Sequence, residues 1–385
     1  MTSTLVANIG QLVTNDPTMG DGSPLGVVNG CSLIVDDGVV AAVLPQDAPE
    51  AACDTRIDAD GRSVIPAFVD SHNHLLFAGD RSAEFAARMA GEPYAAGGIM
   101  TTVTATRAAS DGDLLRNAQR LIAEGRAQGT GTVETKTGYE LTRDGELRQT
   151  QVAAALQDEG FVDAVTLLAA HVPPPEMGVD DYVQVIVNEI IPAVVGRAQW
   201  IDAFCEQGAF NLEQCRAVLE AGAAAGMGVR IHANQLSNMG AVQLAVELDA
   251  ASADHCTHLS DADIDALGNS STVATLLPAS DFSTRSPYPA ARRLLDAGAT
   301  VALATNCNPG SSYTTSMPFV IALAVREMGM TCAEALWSAT AGGAQALRRT
   351  DVGTLRVGSR ARYAVLDAPS YEHLAYRPGV PLVQA

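Results

Sequence analysis

The sequence predicts an α/β protein, a (β/α)8 barrel of the TIM type with a small composite β-sandwich built from both chain ends. Two observations carry this. From Val64 onward short apolar runs alternate with segments of helical period, the pattern of successive strand and helix units around a parallel sheet. Before that point, and again near the end, the texture is that of short strands alone. The expected divisions are 1–64 and 351–385 for the two parts of the sandwich and 65–350 for the barrel.

In chain order, the first β runs are Leu5 to Ile9, Ser32 to Val35 and Val39 to Leu44, and Asp36-Asp37-Gly38 makes the last two a hairpin. Eight strand candidates follow: Ile65 to His74, Thr130 to Lys136, Ala164 to Val172, Trp200 to Glu206, Gly228 to Ala233, Ala250 to Cys256, Thr272 to Pro278 and Thr300 to Thr305. Helical periods fill the gaps at Gly112 to Gln128, Thr142 to Glu159, Asp180 to Val195, Asn211 to Ala225, Gly240 to Leu248, Asp261 to Leu267 and Ala290 to Ala297. A doubly wound open sheet is the rival, but no Gly-x-Gly-x-x-Gly follows the first strand. An apolar segment from Met317 to Met328 and a helix from Cys332 to Leu347 precede a last strand in Arg362 to Leu366.

A chain of 385 residues can hold a barrel and a smaller domain, and its net charge of −20 repels polyanions, so nucleic acid and anionic membrane surfaces are excluded as partners. A small-molecule substrate is expected instead. No basic apolar leader and no apolar run of about 20 residues is present, which points to the cytoplasm. The seven cysteines contain no CxxC pair and read as reduced thiols, most of them buried. The oligomeric state is not set by the sequence; barrels with a sandwich often pair, so a homodimer stays open.

The chemistry gathers at strand ends. His72 and His74 close an apolar run one residue apart, so on a strand both rings would share a face and grip one metal ion. Five of the seven histidines, His72, His74, His171, His232 and His255, fall at carboxyl ends of strand candidates. In a barrel those ends form one rim, so the five would converge on one pocket. His258 lies just beyond and reads as a cap for the next helix, and His373 as structural. The eighth strand runs into Asn306-Cys307-Asn308-Pro309-Gly310-Ser311, a turn that presents amides and small side chains to an anionic or polar group. Arg81 offers a guanidinium for a carboxylate.

These motifs, together with Phe77-Ala78-Gly79-Asp80-Arg81, Lys136-Thr137-Gly138-Tyr139, Ala170-His171-Val172-Pro173-Pro174, His232-Ala233-Asn234-Gln235 and Ala253-Asp254-His255, resemble the imidazolonepropionases of the amidohydrolase superfamily. The resemblance covers essentially the whole chain. It implies one divalent metal, zinc or iron, and hydrolysis of the cyclic amide of 4-imidazolone-5-propanoate to N-formimino-L-glutamate in histidine degradation. By position it implies His72, His74, His232 and Asn306 as metal ligands and Arg81, Tyr139, His171, Gln235, Asn308, Gly310 and Ser311 as substrate contacts. His255, Gln235 and Asn306 fall at catalytic positions, Arg81 is expected on the propionate carboxylate, and Tyr94 is a weaker pocket candidate.

The sequence departs from the family at two of these places. Asn306 stands where the family usually has aspartate, and Gln235 where glutamate is frequent. Neither amide can accept a proton at neutral pH. Three imidazoles and an amide also leave the metal without an offsetting negative charge, so weaker metal binding and slower turnover are expected. Asparagine at 306 fits a natural centre in which His255 or a metal hydroxide suffices, an introduced change that traps substrate, or a metal-poor homologue of low activity. Another cyclic amidase or a deaminase of the superfamily is the alternative enzyme, and a silent binding protein that keeps the pocket is the alternative outside enzymes. Gln235 speaks against a deaminase, which normally needs a glutamate there to shuttle protons.

Overall fold

The computed structural model describes residues 2–48, 52–91 and 98–384. Its strands are β1 (Ser3–Val13), β2 (Val27–Asp36), β3 (Val39–Pro45), β4 (Thr55–Asp58), β5 (Ser63–Pro66), β6 (Phe68–Asp70), β7 (Thr130–Lys136), β8 (Ala164–Ala170), β9 (Trp200–Cys205), β10 (Gly228–Ala233), β11 (Ser252–His255), β12 (Val273–Leu276), β13 (Val301–Leu303) and β14 (Tyr363–Val365). Strands β6 to β13 form one parallel eight-stranded sheet in sequence order, the predicted barrel. The other six form a second sheet in which β14, from the chain's far end, pairs antiparallel with β5. Both ends of the chain therefore build one sheet, as expected. Asp37 and Gly38 both have positive φ in the β2–β3 turn, the conformation that suits a two-residue hairpin.

Alternation along the barrel strands sorts the side chains. On β8, Val165, Leu167 and Ala169 join an apolar cluster with Val152, Leu156 and Val183 from the surrounding helices, each large side chain contributing about 1.5–3 kcal/mol by leaving water. The inward positions of β7, β9, β10 and β11 instead carry Glu134, Lys136, Asp202, Arg230 and Asp254, all fully buried. Branched apolar residues usually fill that space.

Two expectations are corrected. The run Ile65 to His74 is not one strand: Ser63–Pro66 belongs to the outer sheet, Ala67 N donates to Arg362 O, and only from Phe68, whose N donates to Gly129 O, does the chain enter the barrel. An apolar run reads the same whether one sheet or two bury it. His72 and His74 consequently lie beyond β6 in irregular backbone, not on a strand face. Helices Ser82–Met89, Ile99–Ala108 and Pro278–Thr284 were not expected, and the expected helices over 180–195 and 332–347 are each interrupted by a π-turn, at Ile186–Ile190 and Ser338–Gly342. Tyr94 lies outside the described residues.

The first and last barrel strands meet through a set of hydrogen bonds that includes the following. Thr305 N donates to Asp70 Oδ1 at 2.9 Å, Asn306 N to His72 O at 3.0 Å, and His74 N to Cys307 O at 3.0 Å.

Next to β12, Asp281 is buried, and Thr257 Oγ1 donates to its carboxylate at 3.1 Å. Burial pushes its carboxyl up to about 7. An unfolded chain releases that proton near pH 4 while the folded chain keeps it to about pH 7, so the fold loses stability as pH rises between those values and the loss is complete above about 7. Asp281→Asn is therefore expected to gain on the parent by a few degrees in Tm between about pH 5 and about pH 8. Thermal unfolding at the two pH values checks this, and a constant difference would refute it.

Candidate active site

Three imidazoles face one another at the rim. His74 Nε2 lies 3.3 Å from His72 Nε2 and 3.3 Å from His232 Nε2. Nitrogens bound tetrahedrally to zinc at ~2.0–2.1 Å stand about 3.3–3.4 Å apart, so the spacing fits one metal ion. The tautomers fit as well. His72 Nδ1 donates to Asp254 Oδ2 at 2.6 Å and His232 Nδ1 to Asp202 Oδ1 at 3.1 Å, which leaves both Nε2 lone pairs facing the shared point. Burial, reinforced by neighbouring positive groups, holds all three rings far below the usual histidine pKa, in the neutral form that ligates.

Backbone in the left-handed region brings further groups to this point. Strand alternation would send Asp254 and His255 to opposite faces of β11. With φ of 78° at His255 and 53° at Cys256 the chain turns, and the His255 ring lies 5.5 Å from His232 and 5.9 Å from His72. Burial pulls His255 down to about 4. Asn306, with φ of 52°, is held by its own N–H on His72 O, and its buried Oδ1 has no hydrogen-bond partner among the described residues. An orphaned amide oxygen beside three ligand-ready imidazoles completes a donor set that suits a metal ion.

One pocket gathers His74, His232, Asn306, Arg81, Tyr139, His171, Gln235, His255, Asn308 and Ser311. His72 lies buried just behind them. His171 Nδ1 donates to Gly138 O at 3.0 Å, and its ring stacks on His74 at 5.3 Å with Tyr139 at 5.4 Å. Gly138 has φ of 108°, and a Cβ there would sit 2.6 Å from Leu168 O, so only glycine permits this approach. Asn308 organises the last loop: its Oδ1 accepts from Gly310 N at 2.9 Å and Ser311 N at 2.8 Å, and its Nδ2 donates to Asn306 O at 2.7 Å. Gly310 lets Arg81 close over the loop, because a Cβ there would lie 2.2 Å from Arg81 Nη1.

Several pocket residues were not anticipated. Phe204, at the end of β9, lies 5.7 Å from His232 and 6.2 Å from His171, and with Ile99 and Val172 it adds apolar wall. Its place in a strand-end apolar run made it look like core. Glu84 takes the Nε and Nη2 edge of Arg81 at 2.9 and 2.6 Å; the i,i+3 spacing on a helix was its signal. His258 does not cap a helix: it pairs by backbone with Asn234, and Ser260 is the cap. His373 begins a short helix, its Nδ1 3.1 Å from Ser370 Oγ.

Behind the histidines lies the buried charge. Asp254 Oδ2 also meets Arg230 Nη2 at 3.2 Å, Asp202 Oδ2 meets Lys136 Nζ at 3.0 Å, and Lys136 Nζ meets Glu134 Oε1 at 3.0 Å. Burial raises Asp202, with Lys136 pulling the other way. For Asp254 the same burial is outweighed by Arg230 and Lys136, and its carboxyl sits below the usual range.

Comparison with known proteins follows the same lines. A family model described as the amidohydrolase family matches residues 63–380. The imidazolonepropionase of Streptomyces coelicolor is 61% identical over 384 residues, covering 99% of this chain and 96% of its own. That of Mycolicibacterium smegmatis is 60% identical over 387 residues, covering 100% and 96%. Among solved structures, a variant of atrazine chlorohydrolase from Arthrobacter aurescens complexed with zinc and atraton superposes with a TM-score of 0.75 at 18% identity, covering 99% of this chain and 93% of that one. A 5-methylcytosine deaminase from Klebsiella pneumoniae also gives 0.75 at 18% identity, covering 98% and 94%. At such identity these two speak for the fold alone.

The purified protein is expected to hold one equivalent of divalent metal. His74→Ala, which removes the nitrogen common to both 3.3 Å contacts, is expected to lower affinity for that metal by about 100-fold or more. Elemental analysis after dialysis checks it; an unchanged metal content would show that the ion sits elsewhere.

Proposed function

This chain belongs to the amidohydrolase family and within it to the imidazolonepropionases, and on that premise we propose how its residues perform the hydrolysis of 4-imidazolone-5-propanoate to N-formimino-L-glutamate. In our reading His72, His74, His232 and Asn306 hold one zinc or iron ion. When bound, the metal supplies a Lewis acid that lowers the pKa of water toward about 7.

The observation that carries the substrate assignment is Arg81. A guanidinium buried to 6% exposure in the wall of the same pocket as the histidines asks for an anionic substituent on the substrate, which the propionate provides and a neutral nucleobase does not. Glu84 fixes the fork, and the edge toward Gly310 meets the carboxylate. Tyr139, His171 and Phe204 surround a flat ring with aromatic faces. Gln235, which makes no hydrogen bond to described residues, orients the ring amide, while Ser311 and the loop organised by Asn308 hold its polar end.

In the reaction, water oxygen bonds to the ring carbonyl carbon, the carbon–nitrogen bond breaks, and the nitrogen departs with a proton. Gln235 and Asn306 can carry no proton, so His255, neutral and with Nδ1 unpartnered among the described residues, is the group that moves it. A proton carrier with no carboxylate beside it in the pocket works slowly. The free thiols of all seven cysteines support a reducing compartment, the cytoplasm.

The assignment is tested by following loss of imidazolonepropanoate absorbance with metal-replete protein and identifying formiminoglutamate as product. No turnover at full metal occupancy would leave a binding protein. Arg81→Met is expected to raise KM by about 10-fold or more with a smaller change in kcat, since a charge-assisted hydrogen bond is worth ~1.5–3 kcal/mol. Gly310→Ala should shift KM the same way by displacing that side chain. Asn306→Asp is expected to raise kcat by about 10-fold or more, by adding a proton acceptor. Equal kcat in the two proteins would sink the claim that a carboxylate is missed.

A further inference from the structure

We propose that the negative charge which Asn306 does not bring to the metal is supplied from behind the histidines, by Asp254 through His72 and by Asp202 through His232, with Arg230, Lys136 and Glu134 as positioning residues. The proposal rests on reading those histidines as metal ligands.

The five side chains form two lines, each ending on a ligand nitrogen's opposite side. In the first, Arg230 Nη2 lies 3.2 Å from Asp254 Oδ2, and that same oxygen accepts from His72 Nδ1 at 2.6 Å. In the second, Glu134 Oε1 and Asp202 Oδ2 each lie 3.0 Å from Lys136 Nζ, and Asp202 Oδ1 accepts from His232 Nδ1 at 3.1 Å. Glu134 Oε2 additionally accepts from Asn73 N at 3.0 Å, on the backbone between His72 and His74.

All five are fully buried, so water and salt do not screen them. Of these five side chains three are carboxylates and two are cations, so the two lines together lean negative, in the sense that an aspartate at 306 would have contributed. A carboxylate on Nδ1–H makes the imidazole a better electron donor at Nε2, so this charge reaches the metal through the ligands. The shorter contact makes the Asp254 line the stronger of the two. A layer that only filled the barrel would need no carboxylate on either histidine; branched apolar side chains fill other barrels.

The test is a double-mutant cycle read as Zn2+ affinity, by competition with a chromophoric chelator, alongside thermal unfolding of the metal-free chain. Asp254→Asn keeps the shape and can still accept from His72, but loses the charge, and is expected to weaken Zn2+ binding by about 10- to 100-fold. Asn306→Asp is expected to tighten binding by less than about 10-fold in the parent and to recover most of the loss in the Asp254→Asn background. Equal gains in both backgrounds, or a loss in Asp254→Asn that only tracks a lower metal-free Tm, would overturn the proposal. If Asp254→Asn does not fold, Asp202→Asn takes its place in the same cycle. A gain of about 100-fold or more from Asn306→Asp alone would also overturn it, by showing that the parent lacks the charge. Every arm reads metal binding, so absent turnover of imidazolonepropanoate would count against the activity and not against this.

Discussion

Where β6 meets β13 the barrel closes through backbone and side-chain hydrogen bonds of the very residues that line the pocket. Asn306 N on His72 O and His74 N on Cys307 O tie positions more than two hundred residues apart into one seam, and Asp70 anchors it one turn below through Thr305. Since β6 has only three residues, little ladder is available to do this. With the proposed ligands, the fold and the metal centre would share their hydrogen bonds: whatever loosens the seam moves His72, His74 and Asn306 relative to His232. This gives the site the rigidity that a tetrahedral donor set demands, because an error of half an ångström in one nitrogen is a large fraction of a metal–ligand bond.

The strand ends show what that arrangement costs. Asn234, His255, Cys256 and Asn306 all sit at positive φ, each costing on the order of 1–3 kcal/mol for a residue that is not glycine. Four such residues in one rim persist only because the surrounding structure over-determines them. Asn234 Nδ2 donates to His258 O, Cys256 N to Ala233 O and His258 N to Asn234 O, so each kink is held by a neighbour's backbone. The outcome is that consecutive residues, Asp254 and His255, both serve the centre, one from behind a ligand and one from in front.

Much of this was legible in the chain. Eight apolar runs separated by helical periods could satisfy their backbone groups and bury both faces only as a parallel sheet covered by helices, and the five histidines at run ends then had to share a rim. What could not be read was the change of sheet at Ala67, because burial on both sides looks alike in either sheet. Phe204 was hidden for a related reason, an aromatic residue in an apolar run being ordinary core. The charged layer did leave a signal: Arg230 and Asp254 interrupt apolar runs, and Arg230 stands two positions before His232 and so on its face of β10. Period-two reading of charged residues, applied as it is to apolar ones, would have found the layer beneath the site.

A carboxylate ligand does two things for a metal centre of this kind, and here they come apart. It lends charge, and it can take a proton. Charge acts at a distance through low-dielectric surroundings, so Asp254 and Asp202 can lend it from behind His72 and His232. Proton transfer acts only over a hydrogen bond, and no buried carboxylate behind a ring can reach a group in the pocket. On the proposed assignment, the amide at Asn306 leaves an affinity that the barrel interior can restore and a step that falls to a residue facing the substrate, His255. Stacked in one barrel, the two layers separate how tightly the metal is held from how fast the ring is opened.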